Sequence, residues 1–352
     1  MTISTGTLAM HAPTSNSTTR PIKQQGFTLI ELLVALAVST VVTLAAFSAL
    51  IISRQGLTAV DSAAQLRDSA RFSTDLMQRL GVQTGYLSDQ SISTPKQAVR
   101  DSDPTAPEDV CSSILAPNVC GFNNALVRAA SPTGTPVTRG SSSLDGSDVL
   151  ILRFQPNETA SGSGVSDGSM INCAGAPITT TATDSQDRVW NVLHVALGDD
   201  GEPSLFCSVG PNNPQPIIRG VETFQVLYGV DNVTAGVAAA ANAPVANSAN
   251  SFLRADQMLV PGNLEGTQRN WGRVRSIRIG MVLRGPVGSS PVVSNANTTY
   301  FPLGAGASAV GGDRGSALST TADAGTIFRP GADTRLRQVI TFTIHLRNDQ
   351  NV

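Results

Sequence analysis

The chain has 352 residues, enough on length for about two domains of ordinary size and for a sizeable core. Only 14% of the residues are charged, against about 25% in ordinary soluble domains, while 41% are hydrophobic, which excludes an intrinsically disordered chain. Lys23 and Lys96 are the only lysines, and a formal net charge of -2 excludes a composition built for polyanions.

Residues 1–26 are rich in Ser and Thr, contain no acid, and place Arg20 and Lys23 just before Gly26, as a processed leader does. Phe27 to Ile52 then forms an apolar run broken by one charge, Glu31. As a helix it spans ~39 Å, more than the roughly 30 Å hydrocarbon core of a bilayer. A secretory signal cleaved beyond Ala45-Ala46 would have a shorter apolar region. A carboxylate in such a segment costs about 2.5 kcal/mol or more at the helix centre and less near an end, which marks Glu31 as a functional residue in need of a partner.

The run Gly26-Phe27-Thr28-Leu29-Ile30-Glu31-Leu32-Leu33 resembles the cleavage and methylation motif of type IV pilins and type II secretion pseudopilins. The resemblance implies that a prepilin peptidase cuts after Gly26 and methylates Phe27, and that Glu31, with Thr28, serves assembly. In a filament the Phe27 amine of the adjacent subunit would neutralise Glu31, relieving a penalty the lone chain carries in lipid.

No proline occurs between Pro21 and Pro95, so the helix is expected to continue past the apolar run, with Gly56 a soft point and Gly81 the first stop. Ala59, Ala63, Leu66, Ala70, Ser73, Met77 and Leu80 recur at spacings of four and three, while Arg54, Asp61, Arg67, Asp68, Arg71, Asp75 and Arg79 fall elsewhere. The stripe is expected to pack on the chain's own sheet. A helix from Phe27 to Leu80 would be ~81 Å long.

Residues 88–147 read as loop-rich. Strands are expected at Val149 to Phe154, Val189 to Leu197, Ser204 to Val209 after a 198–201 turn, and Val221 to Val230. Strict alternation through Ile277, Ile279, Met281 and Leu283, and through Ile340, Phe342, Ile344 and Leu346, predicts antiparallel sheet with one face covered by the long helix. Ala/Asn/Gly/Ser-rich insertions at 233–251, 285–298 and 304–326 read as mobile surface loops.

Cys111, Cys120, Cys173 and Cys207 form an even set without a C-x-x-C pair, which suits two disulfides in an oxidising compartment better than a zinc site. Three pairings are possible. The closeness of Cys111 to Cys120, and the placement of Cys173 before the hairpin that holds Cys207, favour Cys111 with Cys120 and Cys173 with Cys207.

Farther along, the resemblance narrows to minor pilins of the PilW class. It is carried by Ser53-Arg54-Gln55, Gln65 to Phe72, Gly85-Tyr86, Gly201 to Cys207, Gly220 to Val230 and Ile344 to Asn348, in that order. It implies an α+β, lollipop-shaped pilin fold: a leader at 1–26, a transmembrane or filament-core helix at 27–52, an amphipathic helix at 53–86, and an exported, disulfide-containing β-rich domain at 87–352. It also implies partners: prepilin peptidase, other minor pilins, the major pilin, a tip adhesin, and inner-membrane lipid before assembly. The expected function is a minor pilin that primes pilus assembly at or near the tip, with the C-terminal domain periplasmic and then extracellular. The alternatives are a J-type minor pseudopilin of type II secretion and a membrane-anchored adhesin or DNA-binding module.

No enzyme, cofactor or metal is expected. The sequence lacks G-x-S-x-G, H-E-x-x-H, a P-loop, and a dinucleotide-binding glycine run after a strand. His11 lies in the leader, and His194 and His345 lie in expected strands. Asp199, Asp200 and Glu202 lack the spacing of a calcium loop. Arg269, Arg273, Arg275, Arg278 and Arg284 could meet DNA phosphates, but with Trp271 their lone aromatic neighbour they fit better as cations guarding a strand edge.

Overall fold

A computed structural model describes residues 26–88, 110–111, 116–125, 143–182, 187–209, 214–294, 298–305, 323–348 and 350. The expected leader falls almost wholly outside these residues, as do much of 88–147 and residues 306–322 of the last insertion. The chain divides into two compact units, residues 1–54 and 55–352. Its longest helix, α1 (Leu29–Gln83), contributes to both.

In the first unit every described residue is exposed, including Phe27, Leu29, Leu44 and Ile51. Ser39, Thr40, Thr43 and Ser48 turn their hydroxyls back onto carbonyls three or four residues earlier, at 2.7 to 2.9 Å, so the polar side chains of this apolar stretch are satisfied within the helix.

The second unit is α+β. Its part of α1 buries Ser62, Leu66, Ala70, Ser73, Leu76, Met77 and Leu80 and leaves Asp61, Arg67, Asp68, Arg71, Asp75 and Arg79 exposed. The expected stripe holds from Leu66 to Leu80, with Leu76 added, while Ala59 and Ala63 are only half-buried and Ser62 is buried beside them. Gly81 is not a stop. It lies inside the helix, buried, where a Cβ would run into the Ile344 side chain. Its small size serves close packing.

The first sheet runs in the order β1 (Val119–Phe122), β2 (Val149–Phe154), β3 (Val189–Leu197), β4 (Pro203–Val209), β5 (Gln215–Arg219). The second has the order β7 (Ser251–Leu253), β6 (Val221–Val230), β8 (Val274–Arg284), β9 (Arg337–His345), and every strand pairing is antiparallel. A helix, α2 (Leu264–Gly272), precedes β8. Sequence reading missed β1, β5, β7 and α2.

The expectation of one covered face needs correction at the centre of the second sheet. All ten residues of β6 are buried, so both of its faces are covered. The stretch of β6 beyond β7 is closed by the segment leading into β2. Asp148 donates its N–H to the Phe224 carbonyl at 2.8 Å, its carboxylate accepts the Val226 N–H at 2.8 Å, and the Ser147 hydroxyl accepts the Phe224 N–H at 3.2 Å. These bonds tie the two sheets together. The core gathers Leu80, Leu150, Leu152, Leu193, Leu205, Phe224, Trp271, Ile277 and Met281, with Trp271 edge-on to Tyr228 at 4.7 Å.

Candidate assembly site

Thr28 precedes the first helical residue and Glu31 is the third, the spacing at which a hydroxyl caps the helix and a carboxylate meets its positive end. The Glu31 N–H donates to Thr28 Oγ1 at 3.4 Å, and Thr28 Oγ1 donates to Glu31 Oε2 at 3.4 Å. Both side chains are exposed, and Glu31 has no ion pair among the described residues. A capped, acidic helix start therefore heads the one described helix long and apolar enough to cross a membrane. The Thr-x-x-Glu signature, available from the sequence, would have assigned Thr28 its capping role without any resemblance.

Disulfides join Cys111 to Cys120 and Cys173 to Cys207, with Cα separations of 5.6 and 5.7 Å. Around the first, two buried arginines hold backbone carbonyls. Arg153 donates to Pro117 O at 2.7 Å and Cys111 O at 2.6 Å while its guanidinium lies 4.0 Å from the centre of the Trp190 ring, and Arg188 donates to Ala116 O at 2.9 Å. Burial lowers the pKa of Arg153 well below its ordinary value, and the neighbouring Arg188 charge adds to that.

The arginine run does not guard a strand edge, because β8 is an interior strand and Arg269 belongs to α2. Except for Arg278, its members are engaged inside the domain. Arg273 donates to Ala243 O at 2.8 Å and pairs with Asp231 at 3.5 Å; Arg275 donates to Ala246 O at 2.9 Å. Arg269 binds Ala239 O at 3.0 Å and Glu265 at 2.6 Å. The insertion at 233–251 is thus pinned by its carbonyls, a correction to its reading as a mobile loop. Arg284 reaches Glu202 at 2.9 Å and Glu222 at 3.1 Å, which removes it from a phosphate-binding surface.

The acidic turn is occupied by its own cations. Asp200 pairs with Arg219, and Glu202 also takes Arg335 at 2.7 Å. Among the described residues no group of His, Cys, Asp and Glu is arranged to hold a metal ion. His194 is buried in β3, stacked on Phe206 at 5.8 Å with no partner for Nδ1, and burial lowers its pKa to about 4. His345 is exposed at the end of β9. Among the described residues neither histidine is brought to an acid or nucleophile that would make a catalytic set.

Residues 22–47 match the family described as the prokaryotic N-terminal methylation motif, and residues 192–348 match the family described as Type IV Pilus-assembly protein W. Among solved structures the chain is similar to a type IV-like pilin from Thermus thermophilus, at 13% identity and a TM-score of 0.36, covering 81% of this chain and 98% of that one. No curated protein matches it. With a methylation motif ahead of its apolar helix and a match to the W-type family across its later strands, the chain is similar in both segments to type IV pilin-like proteins of the PilW class.

Proposed function

We propose that the chain is a minor subunit that joins other minor pilins in the inner membrane, primes assembly of the type IV pilus, and sits at or near its tip. The observation that carries this reading is the capped Thr28–Glu31 pair heading an exposed apolar helix without a counter-ion. A prepilin peptidase removes the leader after Gly26 on the cytoplasmic side and methylates the Phe27 amine. The amine of one subunit then neutralises Glu31 of the next, setting axial register and stabilising assembly over the free chain in lipid. Residues 27–52 anchor the chain and later enter the filament core, and the disulfide-bonded domain is exported to the oxidising periplasm. The role is structural, and the chain's own residues perform no turnover.

Mass spectrometry of the membrane-extracted chain, with and without prepilin peptidase, tests the processing step together with a pilus count in Glu31→Ala. The expected result is an N-terminus at a methylated Phe27 and a loss of most pili in the variant. An intact N-terminus, or cleavage beyond residue 45, would overturn the reading. Normal type IV pili with impaired protein secretion would favour the J-type pseudopilin.

A further inference from the structure

The two sheets have four edges, and three of them are shielded. Strand β1 has four residues, all buried, and its Cys120 carbonyl takes the Tyr228 hydroxyl at 3.4 Å. Strand β5 carries Pro216, follows Pro214 and pairs with β4 through a register shift, while β7 has only three residues. Even the part of β6 that β7 leaves open is closed by Ser147 and Asp148.

Strand β9 has none of these devices. It is nine residues long, Arg-Gln-Val-Ile-Thr-Phe-Thr-Ile-His, regular in register with β8, and without proline or lysine. The bonds from Gly285 N to Leu336 O and from Leu346 N to Arg275 O fix its phase. Even-numbered residues bond to β8, and Val339, Thr341 and Thr343 present N–H and C=O outward. None of these outward groups has a backbone or side-chain partner among the described residues. Of the nine residues only Ile344 is buried as a whole, the Arg337 side chain being covered by its acidic partners, in contrast to the wholly buried β6.

We infer that the outer edge of β9 is a strand-addition site for an extended segment of a different pilin-like subunit. The inference rests on the assembly reading only for the source of that partner. The edge chemistry describes the segment: alternating β-branched residues whose main chain pairs with Val339, Thr341 and Thr343, with a carboxylate at the end lying beside His345 and Arg347. The charges are lopsided. Arg347 is exposed and has no ion pair among the described residues, whereas at the other end Arg335 and Arg337 are already satisfied by Glu202, Glu222 and Asp333. A second copy is a poor occupant. Antiparallel self-pairing would set His345 and Arg347 against that arginine-rich end, where every acid is engaged, and a two-fold contact closes on itself instead of extending a filament.

The test reads single amides by hydrogen exchange on the full chain, first solubilised alone and then within its membrane assembly, alongside the variant Val339→Pro. That variant removes an outward N–H while sparing every bond to β8. The expected result is exchange at Val339, Thr341 and Thr343 at least about 100-fold faster than at Ile340 and Phe342 in the lone chain, slowing by a similar factor on assembly. Val339→Pro should keep an unfolding temperature close to wild type and reduce co-isolation with the other minor pilins at least about tenfold. Val293→Lys, on an exposed loop, should change neither.

Three results would overturn the inference. These are fast exchange at the outward amides in both states, slow exchange in the monomeric lone chain, which would mean it caps its own edge, and a protected dimer of the lone chain. Should Val339→Pro unfold, Val339→Lys and the exchange pattern of the wild-type chain still decide. If the assembly reading itself is wrong, a strain lacking the chain will be normally piliated. If only the edge reading is wrong, that strain will lack pili while Val339→Pro restores them.

Discussion

At the residue scale this chain uses arginine mainly as a hydrogen-bonding clamp. Arg153, Arg188, Arg273 and Arg275 each reach backbone carbonyls of segments with no regular structure, and Asn270 does the same through Val237 O at 3.0 Å. Sequence shows these cations but not the carbonyls they meet, because the partners lie about thirty or more positions away and carry no side-chain signature. Thr28 and Glu31 were legible because their partnership is local. His194 yields a prediction at this scale. Burial lowers its folded pKa to about 4 from the ordinary 6.5, so between those values the unfolded chain binds a proton that the folded chain refuses. Stability therefore falls as pH falls through this window, by about 2 kcal/mol from pH 7 to pH 5. Asp148, whose pKa burial raises, works in the opposite direction, so the His194 contribution is read as a difference between proteins. Denaturant unfolding of the full chain at both pH values should show His194→Phe losing about 2 kcal/mol less than wild type. Equal losses would mean that His194 does not titrate in this window.

At the element scale, periodicity carried far where strands were long. Val149–Phe154 and Val189–Leu197 have the bounds their apolar, β-branched runs give, β6 lies where a strand is expected, and β8 and β9 lie where apolar residues alternate. The pattern failed for β1, β5 and β7, which have three to five residues and offer too few periods to stand out, β5 carrying a proline as well. Helix α2 was hidden because Leu-Glu-Gly-Thr-Gln-Arg-Asn-Trp-Gly has weak helix formers, and it stands on the Asn263 cap, whose side chain accepts from the Gly266 N–H at 2.8 Å, and on burial of Trp271. In α1 the two glycines differ in kind. A Cβ at Gly56 would meet nothing within 4 Å, whereas at Gly81 it would strike Ile344 of β9. Gly56→Ala should stabilise the helix by about 0.5 to 1 kcal/mol. Gly81→Ala gains the same propensity but forces Ile344 and the helix apart, an overpacking cost of about 1 to 3 kcal/mol, for a net loss. Thermal unfolding of the two variants should move in opposite directions. A gain at both positions would show that α1 and β9 are not in close contact.

At the scale of the whole molecule, the family motifs and the even cysteine count were legible, while the joints between the sheets were not. The sheets are joined by Asp148 and by a charge chain in which Glu202 takes Arg335 and Arg284, Arg284 reaches Glu222, and Arg337 bridges Glu222 and Asp333. Apart from Arg337 with Asp333, four residues away, each link connects residues far apart in sequence, so no local pattern announces it. The two disulfides add a constraint that acts mainly on the unfolded chain, and their unequal loops make the effect measurable. Cys111 and Cys120 are 9 residues apart and Cys173 and Cys207 are 34 apart. Loop-closure entropy assigns about 3 kcal/mol to the shorter loop and about 4 kcal/mol to the longer. The carbonyl bonds from Arg153 and Arg188 remain to hold the shorter loop in the folded state when its sulfurs are gone. Replacing Cys173 and Cys207 by serine should therefore cost about 1 kcal/mol more than replacing Cys111 and Cys120, in denaturant unfolding of the full chain under oxidising conditions. Adding a reductant to wild type should lower its midpoint below either pair variant. If the shorter loop proves the costlier to open, the first disulfide acts on the folded state, by holding Cys111 against β1, and the arginine clamps alone do not suffice there.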